Sequence, residues 1–212
     1  MNPEYENLIN SLIVDGYLKT PEIIEAFKKI DRINFVLKEH KGEAYGNYPL
    51  PIGFEQTISQ PLTVAFMLEL LQPKKGERIL DIGAGSGWQT ALLGFCVGET
   101  GKVIGVERIF ALAEKAKKNI AKYSFIKKGI VEILCADGSE KIEGQAAFDK
   151  IIAAASADEI PEAWKQEISI GGRIVAPVGQ SIVVLEKESS GNFSSKEFFG
   201  FNFVRLIGEK EE

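Results

Sequence analysis

Apolar side chains recur at helical spacing from the start of the chain. Tyr5, Leu8, Ile9, Leu12 and Ile13 predict an amphipathic helix over residues 4–14, ended by Gly16. Thr20, Pro21 and Glu22 predict the capped start of a second helix, with Ile23, Phe27 and Ile30 as its buried stripe. Between residues 38 and 59 the helical period is lost, and Gly42, Gly46, Pro49, Pro51 and Gly53 punctuate a long loop of the kind that is usually functional. Residues 62–71 are apolar on nearly every face, which predicts a deeply buried helix with Ser59 as its N-cap and Pro61 in its first turn. Short apolar runs then alternate with helical stretches. Strands are predicted at 79–82, 102–107, 130–134 and 148–154, and helices at 89–95, from Ile109 to about Tyr123, and over about eight residues from Pro161. Arg173–Val178 and Ser181–Glu186 flank a tight Val178-Gly179-Gln180 turn, the first antiparallel signal in the chain. Phe199, Phe201 and Phe203 alternate as a last strand before a charged tail, Glu209-Lys210-Glu211-Glu212.

The organising stretch is Asp81-Ile82-Gly83-Ala84-Gly85-Ser86-Gly87, between a buried strand and a helix. Strand, glycine loop and helix form a nucleotide site at the carboxyl edge of an α/β sheet. The dinucleotide fingerprint needs a small residue where Trp88 stands, so a dinucleotide fits poorly. Asp81 would also repel a pyrophosphate, whereas it suits a cationic ligand. A second strand ends in Glu107, a position that takes ribose hydroxyls in nucleotide-binding folds. Gly98-Glu99-Thr100-Gly101-Lys102 resembles a phosphate loop only superficially, because Cys96 and Val103 occupy two required positions. The pattern predicts an α/β fold: a doubly wound, Rossmann-like, mostly parallel sheet with an antiparallel C-terminal edge. No repeat or linker divides it, so residues 1–212 are expected to form one domain, with helices and a substrate loop in 1–60 and the cofactor-binding sheet in 61–212.

Charge narrows the partners. The net charge of −5 provides no global basic field for nucleic acid, and the lysines of the helix after Glu107 read as a solvated face. No membrane span is expected. Cys96 and Cys135 read as two buried free thiols in a reducing cytoplasm, without metal spacing. The single histidine, His40, lies in a polar stretch and reads as a surface residue, which excludes most histidine-based acyl-transfer triads.

The D-x-G-x-G-x-G arrangement resembles motif I of class I S-adenosylmethionine-dependent methyltransferases. Further segments together resemble the protein-L-isoaspartate O-methyltransferase family over most of the chain: Ala44-Tyr45, Leu50-Pro51-Ile52-Gly53, Gln56-Thr57-Ile58-Ser59-Gln60-Pro61, Val106-Glu107-Arg108, Asp137-Gly138, Ile160-Pro161-Glu162, Gly171-Gly172-Arg173 and Pro177-Val178-Gly179. The resemblance implies S-adenosylmethionine as cofactor and methyl transfer to the free carboxylate of isoaspartyl peptides and proteins. The ester can then close to a succinimide, whose hydrolysis returns some normal aspartate. It assigns Ser59 to catalysis. Asp81, Gly83, Gly85, Gly87, Glu107, Arg108, Asp137 and Gly138 are expected at the cofactor and Thr57 and Ile58 at the substrate mouth, where Glu55 is also expected from its place in the loop four residues before Ser59. The chain departs from common family residues at Asn47, Glu55, Leu62, Thr63 and Arg205, positions that bear on substrate preference. A cytoplasmic monomer without a metal is expected. The alternatives are a methyltransferase for another peptide or small-molecule carboxylate, and a non-catalytic adenosine-nucleoside binder.

Overall fold

The computed structural model describes residues 1–145 and 147–206. Two helices, α1 (Pro3–Val14) and α2 (Pro21–Lys29), lead to a short hairpin of β1 (Leu50–Gly53) and β2 (Gln56–Ile58), then to α3 (Pro61–Leu71). Next come β3 (Arg78–Ile82), α4 (Trp88–Val97), β4 (Lys102–Glu107), α5 (Phe110–Ala121), β5 (Val131–Cys135), β6 (Phe148–Ala153) and α6 (Glu162–Glu167). The order ends with β7 (Ile168–Val178), β8 (Ser181–Lys187) and β9 (Phe193–Phe199). Seven strands form one sheet in the order β5-β4-β3-β6-β7-β8-β9, parallel from β5 through β7 and antiparallel beyond. This is the expected doubly wound architecture with its antiparallel edge.

Alternation along the strands explains the layers. Ile79, Val103, Val131, Ile152 and Val175 face a core shared with α1 to α5, whereas Leu80, Ile104, Ile151 and Ile174 face a second core under Trp164 of α6. Both faces are covered, so the central strands are continuously apolar. The order reverses at β3, which pairs with β4 on one side and β6 on the other. That switch opens a crevice beyond the strands' carboxyl ends.

Four sequence expectations are corrected here. The last strand is Phe193–Phe199, earlier than the alternating phenylalanines suggested. Phe201 leaves the sheet to stack on Phe66 of α3, with ring centres 5.2 Å apart. The third strand of the C-terminal half begins at Ile168, not Arg173, and carries Gly171-Gly172 within it. Cys96 is buried, but Cys135 is exposed. Lys115 is not on a solvated face: its Nζ donates to the Ile52 carbonyl at 3.2 Å, fastening α5 to the hairpin. The charged tail Glu209–Glu212 lies outside the described residues.

Candidate active site

A cavity of about 370 Å³ occupies the crevice at the carboxyl edge. Its floor is the loop after β3. Gly83 and Ala84 both donate to the Val106 carbonyl, and Ala154 donates to that of Ile82, which locks the loop between β4 and β6. Gly83, Gly85 and Gly87 all have positive φ (79°, 54° and 92°), which only glycine adopts without strain. A Cβ on Gly85 would lie 3.2 Å from Ile52 Cδ1, so the hairpin closes directly over the loop.

Glu107 forms one side wall. It is 6 % exposed, and its two oxygens accept from the Gly85 and Ile109 amides, each at 2.9 Å. Each carboxylate oxygen keeps a further lone pair for a ligand hydroxyl. Arg108, Gly83, Gly85 and Gly138 also line the cavity. At Gly138 a Cβ would meet Ile82 Cγ2 at 2.5 Å, so any larger residue would push the wall out of place. Ser86 lines the cavity, and its buried Oγ has no protein hydrogen-bond partner. A buried hydroxyl left in this way is a ready ligand contact.

Three expected cofactor residues, Asp81, Gly87 and Asp137, are not among the residues that line the cavity. Asp81 is fully buried, and its oxygens accept from Gln89 Nε2 (2.8 Å) and Thr90 Oγ1 (2.6 Å). It pins the first turn of α4 beneath the loop. Burial is the main force that pushes its pKa up to about 6, against the lowering effect of these two donors. Gly87 caps α4, and a Cβ there would strike Ile120 Cδ1 at 2.9 Å, so the packing of α4 on α5 also requires a glycine. Asp137 lies outside the lining, with Oδ1 holding the Ser139 amide and hydroxyl.

The mouth is built by the hairpin. Thr57, Ile58 and Ser59 line the cavity, as do Gln60 and Thr63 of the following turn. Ser59 is not the cap of α3. Gln60 holds that position without a side-chain bond, and Asn47 Oδ1 reaches across to accept from the Leu62 amide at 3.0 Å. The Ser59 side chain is thus released from capping. Glu55, expected at the substrate mouth, is exposed at the hairpin tip and is not among the lining residues, with φ of 57°. Together with Phe54 (φ 54°) it forms a tight turn whose two residues both need the left-handed region. A glycine at position 55 therefore has a conformational advantage.

Residues 3–211 match the family model described as protein-L-isoaspartate(D-aspartate) O-methyltransferase. The chain belongs to this family. The protein-L-isoaspartate O-methyltransferase of Aeropyrum pernix is 39% identical over 206 residues, covering 95% of this chain and 78% of that protein. That of Methanopyrus kandleri is 38% identical over 209 residues, covering 97% and 92%. A Plasmodium falciparum structure described as a protein-L-isoaspartate O-methyltransferase in complex with S-adenosyl-L-homocysteine shares the fold, with a TM-score of 0.86 at 23% identity over 97% of this chain and 99% of that one. A further structure described as a protein-L-isoaspartate O-methyltransferase also gives 0.86, at 27% identity; it matches 96% of this chain, which spans 66% of that longer one.

One part of this family member's site escaped the sequence reading, and of another only Arg205 was named there as bearing on the substrate. Arg32 is fully buried and donates to the carbonyls of Ala44 (2.8 Å), Gly46 (3.2 Å), Tyr48 (3.0 Å) and Ser59 (3.2 Å). Its guanidinium also lies 5.4 Å from the centre of the Trp88 ring, and Trp88 lines the cavity at the start of α4. One side chain thus joins the mouth to the cofactor loop. The other part is Asn202–Leu206, which forms the remaining wall. Neither has a local motif; four carbonyl acceptors spread over residues 44–59 leave no residue-type signal.

Proposed function

We propose that this chain transfers a methyl group from S-adenosylmethionine to the free carboxylate of isoaspartyl residues in damaged proteins and peptides, initiating their repair. The observation that carries the reading is the family match over residues 3–211, joined to a cavity whose lining suits that cofactor. Glu107 would accept the ribose hydroxyls, the Ser86 hydroxyl would bond a polar group of the ligand, and Gly83 and Gly85 would let it approach the backbone. Arg108 and Gly138 would complete that end.

S-adenosylmethionine supplies an electrophilic methyl on a sulfonium. The carboxylate acceptor is already ionised at neutral pH, so the protein needs no general base. This agrees with the lining, in which no histidine, lysine or cysteine occurs among the described residues. His40 pairs instead with Glu43 at 3.2 Å. The protein's contribution is alignment, an effect that can reach ~7–11 kcal/mol. Ser59 would hydrogen-bond the substrate carboxylate, with Thr57 and Ile58 shaping the peptide path and the α3 N-terminus adding a favourable dipole.

We further propose that residues 1–212 act as a single domain and a monomer, in the cytoplasm and without nucleic acid. Among the described residues, no helix is long and apolar enough to cross a membrane. The deciding experiment measures methanol released from methyl esters formed on paired peptides that differ only in aspartyl linkage. Transfer to the isoaspartyl peptide alone is expected. Equal transfer to both, or transfer only to other carboxylates, would overturn the substrate; adenosylhomocysteine binding with no transfer to any carboxylate would overturn the enzyme.

A further inference from the structure

Two guanidinium groups border the cavity. The sequence holds five arginines within a net charge of −5, and two of them, Arg108 and Arg205, line the cavity beside a single carboxylate, Glu107. Glu107 and Arg108 stand together at the end of β4. Arg205 stands elsewhere. Phe201 stacks on Phe66 of α3, and Ser156, just beyond β6, exchanges backbone hydrogen bonds with Val204 (2.8 Å) and Leu206 (2.7 Å). Residues 201–206 therefore cross the carboxyl edge from α3 to β6, and Arg205 bridges Ser156. β6 lies two strands from β4, roughly 10 Å at ordinary strand spacing. Arg205 thus stands at the β6 end of the cavity wall, on the segment that runs from α3, and two strands from the β4 end that holds Glu107.

We propose that Arg205 is a specificity-determining residue that selects isoaspartyl substrates carrying a second carboxylate close to the methylated one. This rests on the carboxyl methyltransferase reading above. In the free protein the Arg205 guanidinium pairs with Asp158 at 3.3 Å, and the two side chains are 63% and 90% exposed. Such an exposed pair is weak and readily exchanged. A planar guanidinium at the cavity wall can take a substrate carboxylate through two parallel hydrogen bonds. Asp158 then competes with the substrate for the same cation, and an acidic flank on the peptide displaces it.

The test compares kcat/KM for isoaspartyl peptides with Glu, Gln or Lys beside the isoaspartyl residue, using the wild type, Arg205→Gln, Arg205→Lys and Asp158→Asn. The wild type should favour Glu over Gln by roughly two- to fivefold, the range that an exposed ion pair supports. The preference should reside in KM and shrink in high salt. Arg205→Gln should bring the ratio to about one, Arg205→Lys should retain part of it, and Asp158→Asn should raise it. Melting temperature and adenosylhomocysteine affinity are read alongside. A ratio unchanged in Arg205→Gln overturns the inference and leaves the activity standing. So does a loss of adenosylhomocysteine affinity in that variant, which would place Arg205 on the cofactor. Failure of the wild type to methylate any isoaspartyl peptide while binding adenosylhomocysteine overturns the activity, and the inference with it.

Discussion

Asp81 is a carboxylate wholly out of water, and its pKa of about 6 lies above its ordinary value of 3.8 chiefly because of that burial. The native state then binds this proton more tightly than the unfolded chain, so stability falls as pH rises from about 4 through about 6. Two units correspond to about 3 kcal/mol. Asp81→Asn, which keeps the shape and can still bond Thr90 and Gln89, should gain on the wild type progressively across that range in urea unfolding; parallel pH profiles would refute the assignment. Glu55 makes a conformational prediction. Its left-handed backbone costs a non-glycine residue about 1–2 kcal/mol, partly offset by the greater chain entropy that glycine loses on folding. Glu55→Gly should stabilise by about 0.5–1 kcal/mol and leave the preference between acidic and basic peptides unchanged. Ser59 and Glu107 should separate cleanly. Ser59→Ala should lower turnover with little change in melting temperature, because Asn47 and not Ser59 serves the start of α3. Glu107→Ala should weaken adenosylhomocysteine binding by ~1.5–3 kcal/mol in calorimetry, the value of a hydrogen bond to a charged group.

Elements were legible in the sequence where a single period governed them. The buried strands and the glycine loop could be read because apolar runs and positive-φ glycines answer to local rules. Asp81 shows what the sequence leaves open: an acid at a strand end looks the same whether it meets a ligand or pins the next helix, and only the structure shows its bonds to Gln89 and Thr90. The hairpin was invisible as a hairpin, since its turn uses Phe54-Glu55 in place of the usual Asn-Gly. It is held by Arg32 from beneath, by Lys115 from α5 and by Ile52 against Gly85. Arg32→Met would leave four backbone carbonyls without their donor. It should cost at least about 2–3 kcal/mol in urea unfolding, and KM for peptide should rise more than the affinity for adenosylhomocysteine falls. Equal losses in both would mean that the hairpin and the cofactor loop respond as one unit.

At the scale of the molecule, the sheet order explains which parts of the site depend on each other. Glu107, Gly138 and the glycine loop belong to β3, β4, β5 and their connections, a contiguous block of sequence. The opposite wall, Asn202–Leu206, comes from far along the chain and is tied back to α3 and β6. A chain ended at Gly200 keeps every strand, so adenosylhomocysteine binding should persist within about tenfold while methyl transfer to isoaspartyl peptides is lost; full activity in that variant would show the wall to be dispensable. This division also bears on synthesis. As the polypeptide leaves the ribosome, β3 to β5 emerge first, but the glycine loop is locked only when β6 arrives and Ala154 reaches the Ile82 carbonyl. Phe201 meets Phe66 only after nearly all of the described chain has emerged. The wall that faces the protein substrate is thus the last part of the cavity to be made, and the repair enzyme cannot act on other damaged chains until it is in place.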